Sequence, residues 1–121
     1  MNILMEIKQD VSVLYPPKNF GEACFHSLQT RIEYILNMSE TCMLIDFSEV
    51  ARISSVILGC LVRAARDFSR EGRRVALCSV NGSIHKIFDL FESDEIEIYE
   101  SQEEALEFLE AVKCSGVLYI R

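Results

Sequence analysis

Asp46-Phe47-Ser48-Glu49-Val50-Ala51-Arg52-Ile53-Ser54-Ser55-Val56-Ile57-Leu58-Gly59 is the stretch that decides the fold of this 121-residue chain. The apolar run from Cys42 to Phe47 that leads into it has the length of a buried strand in a sheet covered on at least one face. A short polar connection follows. The pair Ser54-Ser55 then marks a helix start, because a serine hydroxyl at an N-cap accepts a hydrogen bond from an otherwise orphan backbone N–H. Beyond it, Leu58, Leu61, Ala65 and Phe68 recur at helical spacing as far as Gly72, with Arg63, Arg66 and Arg70 on the opposite side. The segment is strand, tight loop and amphipathic helix.

The flanking sequence extends the pattern. Ile3 to Lys8 and Val11 to Tyr15 read as a hairpin around Gln9-Asp10, closed by Pro16-Pro17, which cannot donate to a strand ladder. From Gly21 to Met38, Cys24, Phe25, Leu28, Ile32, Ile35 and Leu36 predict a first helix. Val75 to Val80 is a further strand. Asn81 is positioned to cap a short helix with the stripe Ile84, Ile87, Phe88 and Phe91. Ile96 to Tyr99 is a brief strand, and Ser101 with Glu104 forms a capping box for a last helix carrying Ala105, Leu109 and Val112 inward. Strands alternating with helices imply parallel crossovers, and the opening hairpin adds an antiparallel edge. The expected architecture is an α/β single domain, with a mixed four- to five-stranded sheet backed by about four helices over residues 1–113. The apolar tail 114–121, with Val117-Leu118-Tyr119-Ile120, is expected to dock on the domain, pair with an edge strand or meet a partner.

Composition narrows the functional classes. Half the residues are apolar and 26% are charged, which places the chain among globular proteins rather than disordered ones. Its 12 basic and 19 acidic residues leave a net charge of -7, the wrong sign for neutralising a phosphate backbone or an anionic membrane surface. No apolar run approaches the roughly 20 residues needed to span a bilayer, and the N-terminus lacks the features of a signal peptide. A cytoplasmic location is expected. The five cysteines, Cys24, Cys42, Cys60, Cys78 and Cys114, include no close pair. Neither a disulfide framework nor a paired-cysteine metal site fits, and no cofactor is expected. A phosphate-binding glycine loop, a dinucleotide turn and a nucleophile elbow are all missing, and His26 and His85 lie far apart. An enzyme is not expected. Ten acidic residues and no basic ones fall between Asp89 and Glu110, a solvated acidic face.

The deciding stretch resembles the STAS domain, the fold shared by bacterial anti-sigma factor antagonists and the cytoplasmic tails of sulfate transporters. The family's usual run is Asp-Leu-Ser, four spacers, then Ile-Asp-Ser-Ser-Gly-Leu-Gly. Without a gap, Asp46 and Ser48 fall on the first element, Ile53 on the isoleucine, Ser55 on the regulatory serine, and Leu58 and Gly59 on the closing Leu-Gly. Gly72-Arg73-Arg74-Val75-Ala76-Leu77, Ile87-Phe88-Asp89-Leu90 and Glu103-Glu104-Ala105-Leu106 extend the likeness over residues 3–112. Ser54 stands where the family usually has aspartate, and Ile57 where it usually has glycine.

The resemblance implies a partner-switching regulator of transcription. It would bind a serine kinase that is also an anti-sigma factor, of the histidine-kinase-like ATPase class, and be released when Ser55, or alternatively Ser54, is phosphorylated. A metal-dependent serine phosphatase would reset it. The expected contact surface is Ser54, Ser55, Val56, Ile57, Gly59 and Arg63, on a monomer or weak dimer. An unregulated STAS scaffold or subunit in a signalling or transporter assembly is the alternative. On residue chemistry alone, either serine could instead be only a cap.

Overall fold

The computed structural model describes residues 3–90 and 95–110. Strand β1 (Leu4–Lys8) turns through Gln9 and Asp10, both at positive φ (49° and 62°), into β2 (Val11–Tyr15). Two successive left-handed residues make the tight hairpin turn whose twist matches the flanking strands. After the two prolines, a two-residue strand β3 (Asn19–Phe20) and a 3-10 turn (Glu22–Cys24) lead into helix α1 (Phe25–Met38). The expected helix start at Gly21 is therefore a tighter turn, and α1 proper begins four residues later.

Strand β4 (Cys42–Asp46), a second two-residue strand β5 (Arg52–Ile53), helix α2 (Ser55–Arg70), β6 (Val75–Cys78), α3 (Gly82–Asp89) and β7 (Ile96–Tyr99) follow. A last helix, α4, occupies residues 102–110. The order in the main sheet is β1-β2-β4-β6-β7. Its β1-β2 pair is antiparallel and every other pair parallel, so the mixed five-stranded sheet and four helices match expectation. β6 ends two residues earlier than its apolar run because Ser79 adopts a left-handed φ of 58° and turns the chain out of the ladder. Phe91, Val112 and the tail 114–121 lie outside the described residues.

Helices cover both faces of the sheet. α1, α2 and α3 bury Leu28, Ile32, Ile35, Leu61, Phe68 and Ile84 against Leu14, Met43, Ile45 and Leu77. α4 alone buries Ala105, Leu106 and Leu109 against Val11, Val13, Leu44 and Ala76 on the other face. Strand alternation supplies both sets, since successive side chains point to opposite sides. β3 and β5 pair in parallel as a separate small sheet, Asn19 with Arg52 and Phe20 with Ile53. Strands of two residues are too short to show an apolar periodicity, which is why no local pattern announces them.

At the other end of the molecule, α2 stops in a Schellman turn. Gly72, at φ 72°, donates to the Ser69 carbonyl, and the Arg73 N–H reaches back to Phe68. Only a residue tolerant of the left-handed region suits that position. The Arg73 guanidinium, with its side chain 9% exposed, then threads between elements. Nε donates to the Thr41 carbonyl at 2.9 Å, Nη2 to Thr41 and Ile35 at 2.6 and 2.8 Å, and Nη1 to Leu36 at 3.2 Å. Nη1 also pairs with the Glu71 carboxylate at 2.9 Å, and the group stacks 4.7 Å from the Phe68 ring centroid. The last carbonyls of α1 are otherwise orphaned, and a cation is the favourable group at that end of the helix dipole.

Replacing Arg73 with Met keeps the stem and removes the donors, leaving buried carbonyls unpaired at about 1–3 kcal/mol each before relaxation. The expected loss is about 3 kcal/mol in urea unfolding at neutral pH. Arg73→Lys should recover less than half of it, because an ammonium lacks the planar fork. Unchanged stability in both variants would remove this residue from the account.

Candidate functional site

The amino end of α2 sits on a loop fixed at several points. Asp46 Oδ1 accepts from the Ser48 N–H at 2.8 Å, the Phe47 N–H donates to the Cys78 carbonyl at 2.9 Å, and the Val50 N–H to Phe47 at 2.9 Å. Phe47 is 1% exposed and lies edge-on to Phe20 and Phe88, with centroids 5.9 and 6.2 Å away. Asn81 does two jobs. Its Oδ1 caps α3 by accepting from the Ile84 N–H at 2.9 Å, and its Nδ2 donates to the Val50 carbonyl at 3.2 Å. The Lys18 carbonyl accepts from Ala51 and Arg52, and the Phe20 carbonyl accepts from the Ser54 N–H at 3.1 Å. The small β3-β5 sheet thus holds the last residues before the helix.

Within this frame the two serines divide the work that the sequence left open between them. Ser54 is the N-cap, with extended φ/ψ of -91° and 161°; its Oγ accepts from the Ile57 N–H at 3.3 Å and its carbonyl from Leu58 at 3.0 Å. Serine is among the strong N-cap residues, so the helix start is capped here without a carboxylate. Ser55 is the first helical residue and is exposed. Of the first-turn amides, that of Ser54 goes to Phe20 and that of Ile57 to the Ser54 hydroxyl. Those of Ser55 and Val56 have no intrahelical acceptor.

At 100° per residue, Gly59, Arg63, Arg66 and Arg70 follow Ser55 along one side of the helix, and all are exposed. Val56, 41% exposed, flanks this strip. Nothing lies within 4 Å of where a Cβ on Gly59 would stand, so packing does not demand glycine there. Arg70 pairs with Asp67 at 3.4 Å in an exposed contact of little energetic weight.

Ile57 is a correction. It is 0% exposed and belongs to the main core, because a residue two positions from Ser55 is turned 200° away and faces the sheet. It offers no surface to a partner, and its bulk fills core space instead. Of the five other expected contact residues, Ser55, Val56, Gly59 and Arg63 are exposed within the first nine residues of α2, and Ser54 is its half-buried N-cap.

Asp46 lies on the opposite face of the sheet from Phe47 and serves α4. Its Oδ2 accepts from Gln102 Nε2 at 2.7 Å, and the same amide reaches Tyr15 Oη at 3.1 Å. Gln102 Oε1 accepts from Lys8 Nζ at 2.7 Å, and the Tyr15 hydroxyl donates to Glu6. Both Asp46 oxygens are occupied, so its role is structural. Burial and the adjacent Asp46 charge push the Cys78 thiol up to about 12, which keeps it protonated and unreactive at neutral pH. Gln102 and the second bond of Asn81 are the residues that pattern reading missed, since each acts through a contact distant in sequence.

A model of the STAS domain family matches residues 2–105. Among curated proteins, none matches the chain. Solved structures are similar over most of its length. A candidate anti-sigma factor antagonist of Thermotoga maritima is 26% identical, with 88% of this chain and 93% of that one covered and a TM-score of 0.75. An anti-sigma-factor antagonist (STAS) domain protein of Planctomyces limnophilus is 22% identical, with coverage of 90% and 98% and a TM-score of 0.78. The phosphorylated form of the Bacillus cell fate determinant SpoIIAA is 13% identical, with coverage of 87% and 96% and a TM-score of 0.72.

The division between the serines has a direct check. Ser54→Ala removes the cap and is expected to cost about 1 kcal/mol in chemical denaturation. Ser55→Ala should stay within about 0.5 kcal/mol of the parent, as an exposed substitution without a partner. The reverse ranking would reassign the cap.

Proposed function

The chain belongs to the STAS domain family, and from that premise we propose that it is a partner-switching regulator of the anti-sigma factor antagonist kind, with Ser55 as its phosphoacceptor. The carrying observation is that Ser54 does the capping, so the Ser55 hydroxyl has no structural duty and stands exposed on a braced helix end. The partner is a serine kinase of the histidine-kinase-like ATPase class that doubles as the anti-sigma factor. It reads Ser54, Ser55, Val56, Gly59 and Arg63.

Transfer of the terminal phosphoryl group of ATP to Ser55 Oγ forms an O–P bond, releases ADP and hands the hydroxyl proton to a base on the kinase. The product carries about -1.5 to -2 charges at neutral pH. The positive end of the α2 dipole and the open amides of Ser55 and Val56 favour an anion at this position, so the domain stays folded. The partner, docked against what had been an uncharged hydroxyl with Val56 beside it, then meets a hydrated dianion. Release follows from the desolvation that renewed docking would demand. A metal-dependent serine phosphatase hydrolyses the ester and restores the hydroxyl. The chain itself supplies no catalytic group to either step.

Incubation with ATP and such a kinase from the same genome is expected to add one phosphoryl mass to the parent and to Ser54→Ala, and none to Ser55→Ala. Ser55→Asp should weaken kinase binding by about tenfold or more, equivalent to about 1.4 kcal/mol. Binding that ignores both Ser55→Asp and phosphorylation would instead mark an unregulated scaffold, the role that STAS domains in signalling or transporter assemblies would suggest.

A further inference from the structure

The segment from Val50 to Ser54 delivers the chain to the start of α2, and its hydrogen bonds lead to two different parts of the domain. The Ala51 and Arg52 amides donate to the Lys18 carbonyl and the Ser54 amide to the Phe20 carbonyl. Those acceptors belong to β3 and the residue before it, and β3 is a strand of two residues whose only described partner is β5. The Val50 carbonyl is bonded elsewhere. It accepts from Asn81 Nδ2 at 3.2 Å, and Asn81 stands just ahead of α3, on the connection that leaves β6. Among the described residues this is the one hydrogen bond from the segment to that connection. Capping by itself does not call for asparagine. The Ile84 N–H donates to Asn81 Oδ1 at 2.9 Å, and serine, threonine or aspartate would offer an equivalent oxygen. With Oδ1 committed to the cap, the planar amide has Nδ2 left over on its other arm. Asparagine alone among those four carries a donor on an atom separate from the capping oxygen. α3 meets the same loop again through Phe88, edge-on to Phe47 with centroids 6.2 Å apart.

We propose that Asn81 is a positioning residue for Ser55, a role that rests on Ser55 being the phosphoacceptor. Its Nδ2 holds Val50, and through Val50 the residues that follow, so that a kinase meets Ser55 on a loop already in place. The route is covalent and short. Val50 itself is 4% exposed and anchored in the main core, whereas Ala51 and Arg52 are exposed and add no buried side chain. Ser54 then caps α2 and Ser55 opens it. Without the Asn81 bond, the exposed stretch depends on the β3-β5 pair, and an isolated pair of strands is marginal in water. A partner closing over Ser55 would then have to order that stretch, which weakens docking.

The test uses the full chain. Asn81 is exposed, so replacing it disturbs no core packing. Asn81→Asp and Asn81→Ser both keep a capping oxygen and lose the donor to Val50, and the serine variant controls for repulsion between a carboxylate and the Val50 carbonyl. In both, deuterium exchange at the amides of Ala51, Arg52 and Ser54 should quicken about threefold or more, as expected for one modest hydrogen bond. The amides of Ile84 and His85 should exchange as in the parent, showing that the α3 cap survives. With ATP and a kinase that phosphorylates the parent at Ser55, KM for each variant should rise about threefold while kcat stays within about twofold. Arg73→Met, destabilised at the far end of α2, should leave KM unchanged, which separates positioning from loss of stability. Parent-like exchange at residues 51, 52 and 54 in both variants overturns the hold, and quickened exchange with a parent-like KM overturns its part in recognition. A parent that no such kinase phosphorylates overturns the switch reading instead, and the exchange rates then decide by themselves whether Asn81 holds the segment.

Discussion

A single guanidinium closes the end of the domain opposite the candidate site. Arg73 meets the last carbonyls of α1, the Thr41 carbonyl ahead of β4 and the Phe68 ring of α2, so both large helices and the central strand are fixed to the start of β6 by one side chain. A helix on a sheet can slide by one ridge at modest cost while its core remains apolar. A planar fork with three carbonyls to satisfy has far fewer acceptable positions. Gly72 makes this possible, because its left-handed turn brings the chain back beneath α2 immediately before the arginine.

With one end of α2 fixed in this way, the other end carries the exposed Ser55. The amino terminus of the helix is surrounded by small constraints rather than one large one: the Phe20-Phe47-Phe88 rings, the Asn81 amide, the β3-β5 pair and the Ser54 cap. Each ties the loop to a different element. The consequence is a serine presented on a braced backbone, where any contact would have little ordering entropy left to lose.

Charge is arranged on the same plan. The net charge of -7 is unevenly distributed, since Glu103, Glu104, Glu107 and Glu110 are exposed on α4, on the far side of the sheet from Arg63, Arg66 and Arg70 on α2. Arg74 pairs with Glu97 at 3.0 Å at the β6-β7 edge. A partner approaching the Ser55 face therefore meets the basic side of an acidic protein, and long-range steering favours acidic surfaces there.

The sequence alone determined the order of elements, the hairpin turn, the caps at Ser54-Ser55, Asn81 and Ser101, and the region that carries the candidate site. These are written in local patterns: apolar spacing, proline and glycine punctuation, and side chains that bond a backbone group within four residues. Tertiary structure decided which of two adjacent serines caps and which is free, that Ile57 faces inward, that α4 takes a sheet face to itself, and that Asp46 answers to Gln102 at position 102. The two-residue strands β3 and β5 and the grip of Arg73 on Ile35 and Thr41 belong to the same class. Each depends on contacts between residues more than thirty positions apart, or on a helix's rotation about its axis, and a one-dimensional pattern fixes neither until the core has chosen which side of every element to bury.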